Sequence, residues 1–568
     1  MADNVTDLAM HPEGEPGRLE MVALPSKALA PKPSVRWAVT DSRLGTSLST
    51  AISVTAHHHS SSDLFASESG GLARKPSAAT FSTFNSTADL VRSDRDLEAG
   101  PTPLSPVSHC RPANILSSKQ SMDRIAADPV PPKNFNRVVR YLFWTFFSTY
   151  RKLFTIVFAF NLTALVVLLS HEKLRREHLT ENNMATAASA NLLVGVLMRN
   201  EHVVNAMFLI ACQLPQTAPL WLRCLAAKVY SYGGFHSGCG TSAVVWYLTY
   251  SGLVTRNFNK QEGHSIYTLV ITYVQLALLL LILFFAHPTM RSRLHDYFEA
   301  THRFAGWTAI ALFWAQLFIN CVYDTRARTL GLGRVIISTP SFWFLIAITA
   351  LLIYPWLRLR SVKFHAEHLS GHAVRLHFEH MRIGLTMGYR LSDAPLKEWH
   401  GFATIPELEG ANGFSILVSK AGDWTSKIIS NPPEKLYVRG APTIGVLRCA
   451  LLFKSVVVVA TGSGIGPVIS LLQGRPSFPV RILWSTPDPE KTYGPKIMDA
   501  VYRADPDALI VDSRKTGRPD IVGLTYSLYR EAVNAEAVFC IANPRVTRKV
   551  VYGMETRGIP AFGPIFDS

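Results

Sequence analysis

The 568-residue sequence has no CxxC pair, and its seven cysteines (Cys110, Cys212, Cys224, Cys239, Cys321, Cys449, Cys540) show no metal-like spacing. Neither a disulfide framework nor a zinc site is suggested, and a reducing compartment fits the soluble parts. Acidic residues are scarce, 41 against 57 Lys and Arg, which leaves a formal net charge of +16. With a positive mean hydropathy, that balance is unusual for a soluble enzyme and ordinary for a membrane protein with basic flanks. The N-terminus lacks a basic-then-apolar leader, so membrane insertion is expected to rely on internal segments. No nucleic-acid partner is expected.

What is present divides into four regions. Residues 1–133 are rich in Ser, Pro, Ala and Thr, include the tract His57-His58-His59, and read as a disordered tail. Residues 134–359 carry six apolar stretches, roughly 146–170, 186–213, 230–254, 266–286, 302–323 and 337–357. Each approaches the ~20 residues that a hydrocarbon core requires, so the expectation is a six-helix transmembrane bundle. An even number of crossings puts both termini on one side. Residues 360–450 change to short alternating segments broken by Gly and Pro, which predicts an antiparallel β-barrel. Residues 451–568 alternate strands with helical stretches, the pattern of a doubly wound α/β domain.

The sharpest motif is Val456-Val457-Val458-Val459-Ala460-Thr461-Gly462-Ser463-Gly464-Ile465-Gly466-Pro467. A β-branched run entering a glycine turn is how a buried parallel strand delivers backbone amides to a dinucleotide phosphate. Thr461, Gly462, Gly464, Gly466 and Pro467 are therefore candidate nucleotide-binding residues, and a cytosolic C-terminal domain follows because nicotinamide cofactors are intracellular. After the strand-like segment Ala508-Leu509-Ile510-Val511 comes a basic cluster, Ser513, Arg514, Lys515 and Arg518. Its guanidinium and ammonium groups suit a phosphate; a solvated charge run is the other reading. Within the second apolar stretch, Arg199-Asn200-Glu201-His202 is costly in a bilayer, and must be paired, near a surface, or lining a functional cavity.

At these motifs the sequence resembles the ferredoxin reductase superfamily, in the branch with ferric reductases and NADPH oxidases. His400-Gly401-Phe402-Ala403-Thr404 sits where that family lines its flavin, and Ala421-Gly422-Asp423-Trp424-Thr425 where Gly422 and Thr425 would hold the FAD pyrophosphate. The basic cluster matches the position that meets the adenosine 2'-phosphate, which implies NADPH, with NADH the other candidate. Phe566 matches the aromatic that stacks on the flavin. A narrower likeness, to the fungal TmpA-like integral membrane flavoproteins, rests on Leu197-Met198-Arg199-Asn200-Glu201-His202, Gly233-Gly234-Phe235-His236-Ser237-Gly238, Thr301-His302-Arg303-Phe304-Ala305-Gly306-Trp307 and Leu483-Trp484-Ser485-Thr486. It implies a multi-pass protein of the plasma membrane with a regulatory role such as asexual development.

Two departures from the family stand out. Ferric reductases hold two haems by histidine pairs thirteen or fourteen residues apart, but the residue fourteen beyond His236 is Tyr250, and fourteen beyond His302 is Gln316. A single haem between His236 and His302 is the form left open, with the glycines at 233, 234 and 238 giving a macrocycle room. The family's Cys-Gly-Pro is replaced by Ala542-Asn543-Pro544, with Cys540 two positions early as the candidate hydride-transfer cysteine. The implied function is a membrane oxidoreductase passing electrons from NADPH through FAD to an unidentified acceptor. The alternative is a redox or nucleotide sensor with little turnover, signalling through membrane partners.

Overall fold

The computed structural model describes residues 115–116, 129–260, 265–324, 326–407 and 412–565. The His57-His58-His59 tract and most of the expected tail lie outside these. Within that region Ile115–Leu116 forms a two-residue strand, β1.

The principal helices of the next region are α1 (Thr149–Ser170), α2 (Glu181–Leu197), α3 (Glu201–Cys212), α4 (Leu220–Ala227), α5 (Gly233–Asn259), α6 (Ile266–Ala286), α7 (His295–Tyr323) and α8 (Pro340–Leu357). They correct the six-helix transmembrane bundle. Among the described residues only α1, α6, α7 and α8 are each long and apolar enough to cross a membrane, and a fifth is counted only if α2 and α3 are taken as one span bent by 68°. The bend has a local cause: the Asn200 side chain accepts the amides of His202 and Val203, ending one helix and starting the next. Helix α5 fails the apolar test because it is rich in Gly, Ser, Thr and Tyr, and it lies packed between α1, α2 and α6. Its glycines serve that packing. A Cβ on Gly234 would sit 2.3 Å from the Tyr150 carbonyl oxygen of α1, and one on Gly238 would sit 3.1 Å from that of Phe154.

The antiparallel region contains β2 (Arg360–Lys363), β3 (His365–Ser370), β4 (Ala373–Phe378), β5 (Met387–Ser392), β6 (His400–Pro406), β7 (Phe414–Ser419), β8 (Lys435–Val438) and β9 (Thr443–Ile444), with helix α9 (Asp423–Ser430) after β7. The order is β2-β8-β5-β6-β7-β4-β3, with β9 on β5. The two ends, β2 and β3, are separated in sequence by Phe364 alone, so the sheet curls back on itself around Val374, Leu376, Phe414 and Ile416.

The last region is a parallel sheet of β10 (Val456–Thr461), β11 (Val480–Thr486), β12 (Leu509–Asp512), β13 (Ala537–Ile541) and β14 (Ala561–Phe562). Helices α10 (Ile465–Gly474), α11 (Pro489–Ala504), α12 (Ile521–Glu531) and α13 (Pro544–Glu555) accompany it. The order is β1-β12-β11-β10-β13-β14, with Ile115 against Ile510 adding the N-terminal strand to one edge. The valine run alternates between two cores: Val456 and Val458 face one side, and Val457 and Val459 the other. The strand order reverses between β10 and β13, the switch point at which such sheets bind ligands.

Helix α4 and the turns beside it fasten the helical region to this sheet. Arg223 donates to both oxygens of Glu536, at 2.6 and 3.1 Å, and to the Leu452 carbonyl at 3.0 Å. Lys228 reaches Glu555 at 2.5 Å and the Ala561 carbonyl at 3.2 Å. The Arg223 guanidinium holds the Glu536 carboxyl below the usual carboxylate range. A depressed carboxylate stabilises the fold above its unfolded pKa, and that contribution is lost as pH falls through the lower folded value. Arg223→Met is therefore expected to destabilise the protein by about 2–3 kcal/mol at neutral pH. The difference from wild type should shrink in acid, which urea unfolding at several pH values would measure.

Candidate functional site

The glycine turn lies at the switch point. Gly462 has φ +54, a left-handed conformation that suits glycine, and its carbonyl accepts the Trp484 indole N–H at 2.9 Å. A Cβ on Gly464 would stand 2.2 Å from the Ile541 carbonyl oxygen, so only glycine allows the turn to lie on the end of β13. Gly466 opens α10 beside Ile405 and Leu417 of the antiparallel sheet. Ser419, at the end of β7, donates to Ser463 at 2.7 Å. Thus Thr461, Gly462, Gly464, Gly466 and Pro467 stand where the two sheets meet. Tyr493 lies beneath them, its phenol pushed up to about 12 by burial.

The basic cluster follows β12. Asp512 is buried and caps the short helix Ser513–Thr516 by accepting the Arg514 amide at 3.0 Å. Arg514 pairs with Asp488 at 2.9 Å and Lys515 lies 3.6 Å from Asp512, while Arg518 is exposed after the Gly517 turn. All four residues, Ser513 included, sit beyond the C-terminal end of a strand, as does the glycine turn.

On the antiparallel sheet, His400 and Phe402 share one face of β6 and both stack on the Trp424 indole, at 4.3 and 5.7 Å. Trp424 is held by Asp393 at 2.9 Å. The result is an aromatic wall whose outer part, His400 and Phe402, is half-buried. Thr404 is buried and donates to the Met387 carbonyl. Thr425 accepts the amides of Ala421 and Gly422, at 2.8 and 2.9 Å, and so closes the cap of α9 with the groups expected to face a pyrophosphate.

Cys540 lies fully buried among Val457, Leu524 and Val550, and burial pushes its thiol up to about 12. Strand alternation turns it into the core, so it has no place at the switch point. Asn543 accepts the amides of Arg545 and Val546 and caps α13. Phe566 lies outside the described residues.

His236 and His302 do come together, with ring centroids 6.0 Å apart and planes at 76°; His236 Nδ1 bonds the Gly195 carbonyl at 2.7 Å. The glycines expected to give a macrocycle room, Gly233, Gly234 and Gly238, pack against α1. Tyr250 and Gln316, at the positions of a second histidine pair, belong to a polar network. Tyr247 donates to Gln316 at 3.0 Å, Gln316 to Thr272 at 2.8 Å, and Asn320 to Tyr250 at 2.8 Å.

The motifs did not identify Trp424 as an aromatic partner, nor Tyr493 and Trp484 beneath the turn. They also missed Arg390 and Arg439 at the junction of sheet and helices. The only signal for them was an aromatic or basic residue type, since their partners are distant in sequence.

A family model described as Adenylate-forming reductase 03009, C-terminal domain, matches residues 446–568. The chain is 47% identical over 441 residues to Adenylate-forming reductase 03009 of Coprinopsis cinerea, covering 78% of this chain and 42% of that protein. It is 45% identical over 446 residues to Adenylate-forming reductase 06235 of the same fungus, again covering 78% and 42%. The chain therefore spans less than half the length of these curated relatives. These relatives overturn the likeness to TmpA-like integral membrane flavoproteins. Among solved structures, flavohemoglobin from Malassezia yamatoensis aligns over 67% of this chain and 98% of its own at 13% identity and a TM-score of 0.33, too distant to bear on function.

Gly464→Ala forces a Cβ onto a backbone carbonyl. It is expected to destabilise the protein by about 2–3 kcal/mol, measured by thermal unfolding.

Proposed function

We propose that this chain is an oxidoreductase unit that takes reducing equivalents from NADPH and passes them through FAD to an acceptor. The observation that supports this most is the glycine turn at the switch point of the parallel sheet, in contact through Ser463 and Ser419 with the antiparallel sheet. Backbone amides at the turn suit a dinucleotide phosphate. Arg514, Lys515 and Arg518, on the same end of the sheet, suit the adenosine end and favour a 2'-phosphate. The wall of His400, Phe402 and Trp424 offers an aromatic surface to a flavin ring, and Thr404 and Gly422 lie on the elements that border it. Bound flavin supplies the hydride-accepting chemistry; the chain's own part is to align the two cofactors and hold their charges. That the curated relatives are named reductases accords with this reading. The acceptor is an unidentified molecule.

The helical region is proposed to lie in a lipid bilayer, with the sheet regions in the cytosol. Helices α1 and α6 carry Ile156, Phe160, Val166, Val270, Val274 and Phe284 outward and exposed, with none of the described residues covering them. Exposed apolar helices of that length match a hydrocarbon core.

A second reading, a sensor with little turnover, is favoured by one observation. Cys540 is in the core, and Asn543, standing in the family's Cys-Gly-Pro segment, is committed to a helix cap.

The test is an anaerobic absorption spectrum of the detergent-purified chain. Flavin absorbance near 450 nm that bleaches on adding NADPH supports the reductase, and flavin that persists supports the sensor. Absence of flavin after loading with FAD would overturn both. The double variant Arg514→Gln/Lys515→Gln is expected to raise KM for NADPH about tenfold, with KM for NADH little changed.

A further inference from the structure

Where the helical region meets the antiparallel sheet, arginines gather without enough carboxylates to balance them. Arg199 projects from the bend between α2 and α3, Arg390 from β5, and Arg439 from the end of β8. Arg390 is the common electrostatic neighbour of the other two. It is paired with Glu201, Nη1 to Oε1 at 3.3 Å, and nearby Arg303 lies 3.5 Å from Glu299. Those pairs use both carboxylates at the junction. The half-buried Arg199 side chain pairs with no carboxylate among the described residues; Tyr232 and Tyr150 are its electrostatic neighbours, and its Nη2 lies about 4 Å from where a Cβ on Gly233 would stand.

Arg439 is held between two indoles, 4.7 Å from the Trp356 ring and 4.5 Å from that of Trp399, and its buried Nε has no hydrogen-bond partner. Burial and the neighbouring Arg390 and Arg303 lower its guanidinium to about 10, so it remains charged at neutral pH. Glu201 is fixed by close packing: Gly440 has φ +67, and a Cβ there would stand 2.6 Å from Glu201 Oε1. The other Glu201 oxygen is buried and unpartnered. His236 and His302 are further electrostatic neighbours of Arg199, and neither brings a negative charge.

A guanidinium whose buried Nε lacks an acceptor is costly, and a junction lined mainly by one sign of charge concentrates the opposite ion. We infer that the junction of Arg199, Arg390 and Arg439 is a binding site for an anionic group, a phosphate or a carboxylate, carried by a small molecule. The planar forks of Arg199 and Arg390 suit two-point contact with such a group, while the indole pair fixes Arg439 in place. Glu201 acts as a counter-charge that limits the site to one anion. Two sources share this chemistry: the diphosphate of a bound flavin or nucleotide, and an acidic acceptor molecule. The inference does not depend on NADPH oxidation.

Titration calorimetry of the full chain in detergent, with inorganic pyrophosphate and with benzoate as probes, tests it. An Arg514→Gln/Lys515→Gln/Arg518→Gln background removes the basic cluster of the parallel sheet from the measurement. Saturable binding of at least one probe is expected, weakened about tenfold by Arg199→Gln and by Arg390→Gln. Arg390 is the safer variant because its side chain is 45% exposed. Prior loading with FAD separates the sources: loss of probe binding assigns the site to the cofactor's phosphates, and unchanged binding assigns it to an acceptor. Failure of both probes to bind, or equal affinity in wild type and both variants, would overturn the inference whatever the chain does with NADPH.

Discussion

Arg223 is the single side chain on which the arrangement of the chain depends most. Its guanidinium reaches Glu536 ahead of β13, the Leu452 carbonyl ahead of β10, and the Ala218 carbonyl of its own strap. A planar fork satisfied at every edge costs little to bury and strongly resists rotation. The strap therefore ties the helical region to the two central strands that flank the switch point. Gln216 adds bonds to the Leu451 and Phe453 carbonyls, and Asn205 clasps Pro442 and Ile444 beyond β8. Helices, curled sheet and parallel sheet are thereby joined at one seam.

That seam explains how local motifs become a site. The glycine turn alone has the backbone form that suits a phosphate; it gains a second wall because Ser419 and Leu417 of the curled sheet lie against Ser463 and Gly466. The same rigidity gathers three arginines from separate elements at the opposite junction, where helical bend and sheet meet. A charge excess of that kind survives only where solvent, a counter-charge or a ligand compensates it.

Much of the local order was legible in the sequence. The valine run announces a central strand and the glycines its turn, because strand alternation and left-handed φ are properties of adjacent residues. The apolar lengths of α1, α6 and α8 were legible for the same reason. The number of membrane-crossing helices was not: Asn200 breaks one apolar stretch by accepting two amides, and α5 is long but too polar. The glycines of α5 misled for a related reason, since a small residue marks a close approach without saying what approaches. Here it is the backbone of α1, not a macrocycle.

The sequence by itself determined the periodicities and the turn, since these follow from backbone geometry over a few residues. Tertiary structure alone decided the partners. It turned Cys540 into the core, committed Thr425 and Asn543 to helix caps, laid Trp424 across His400 and Phe402, and left the Nε of Arg439 without an acceptor. Partners of that sort are set by contacts between segments far apart in the chain, and no pattern along the sequence encodes which side chain will face which.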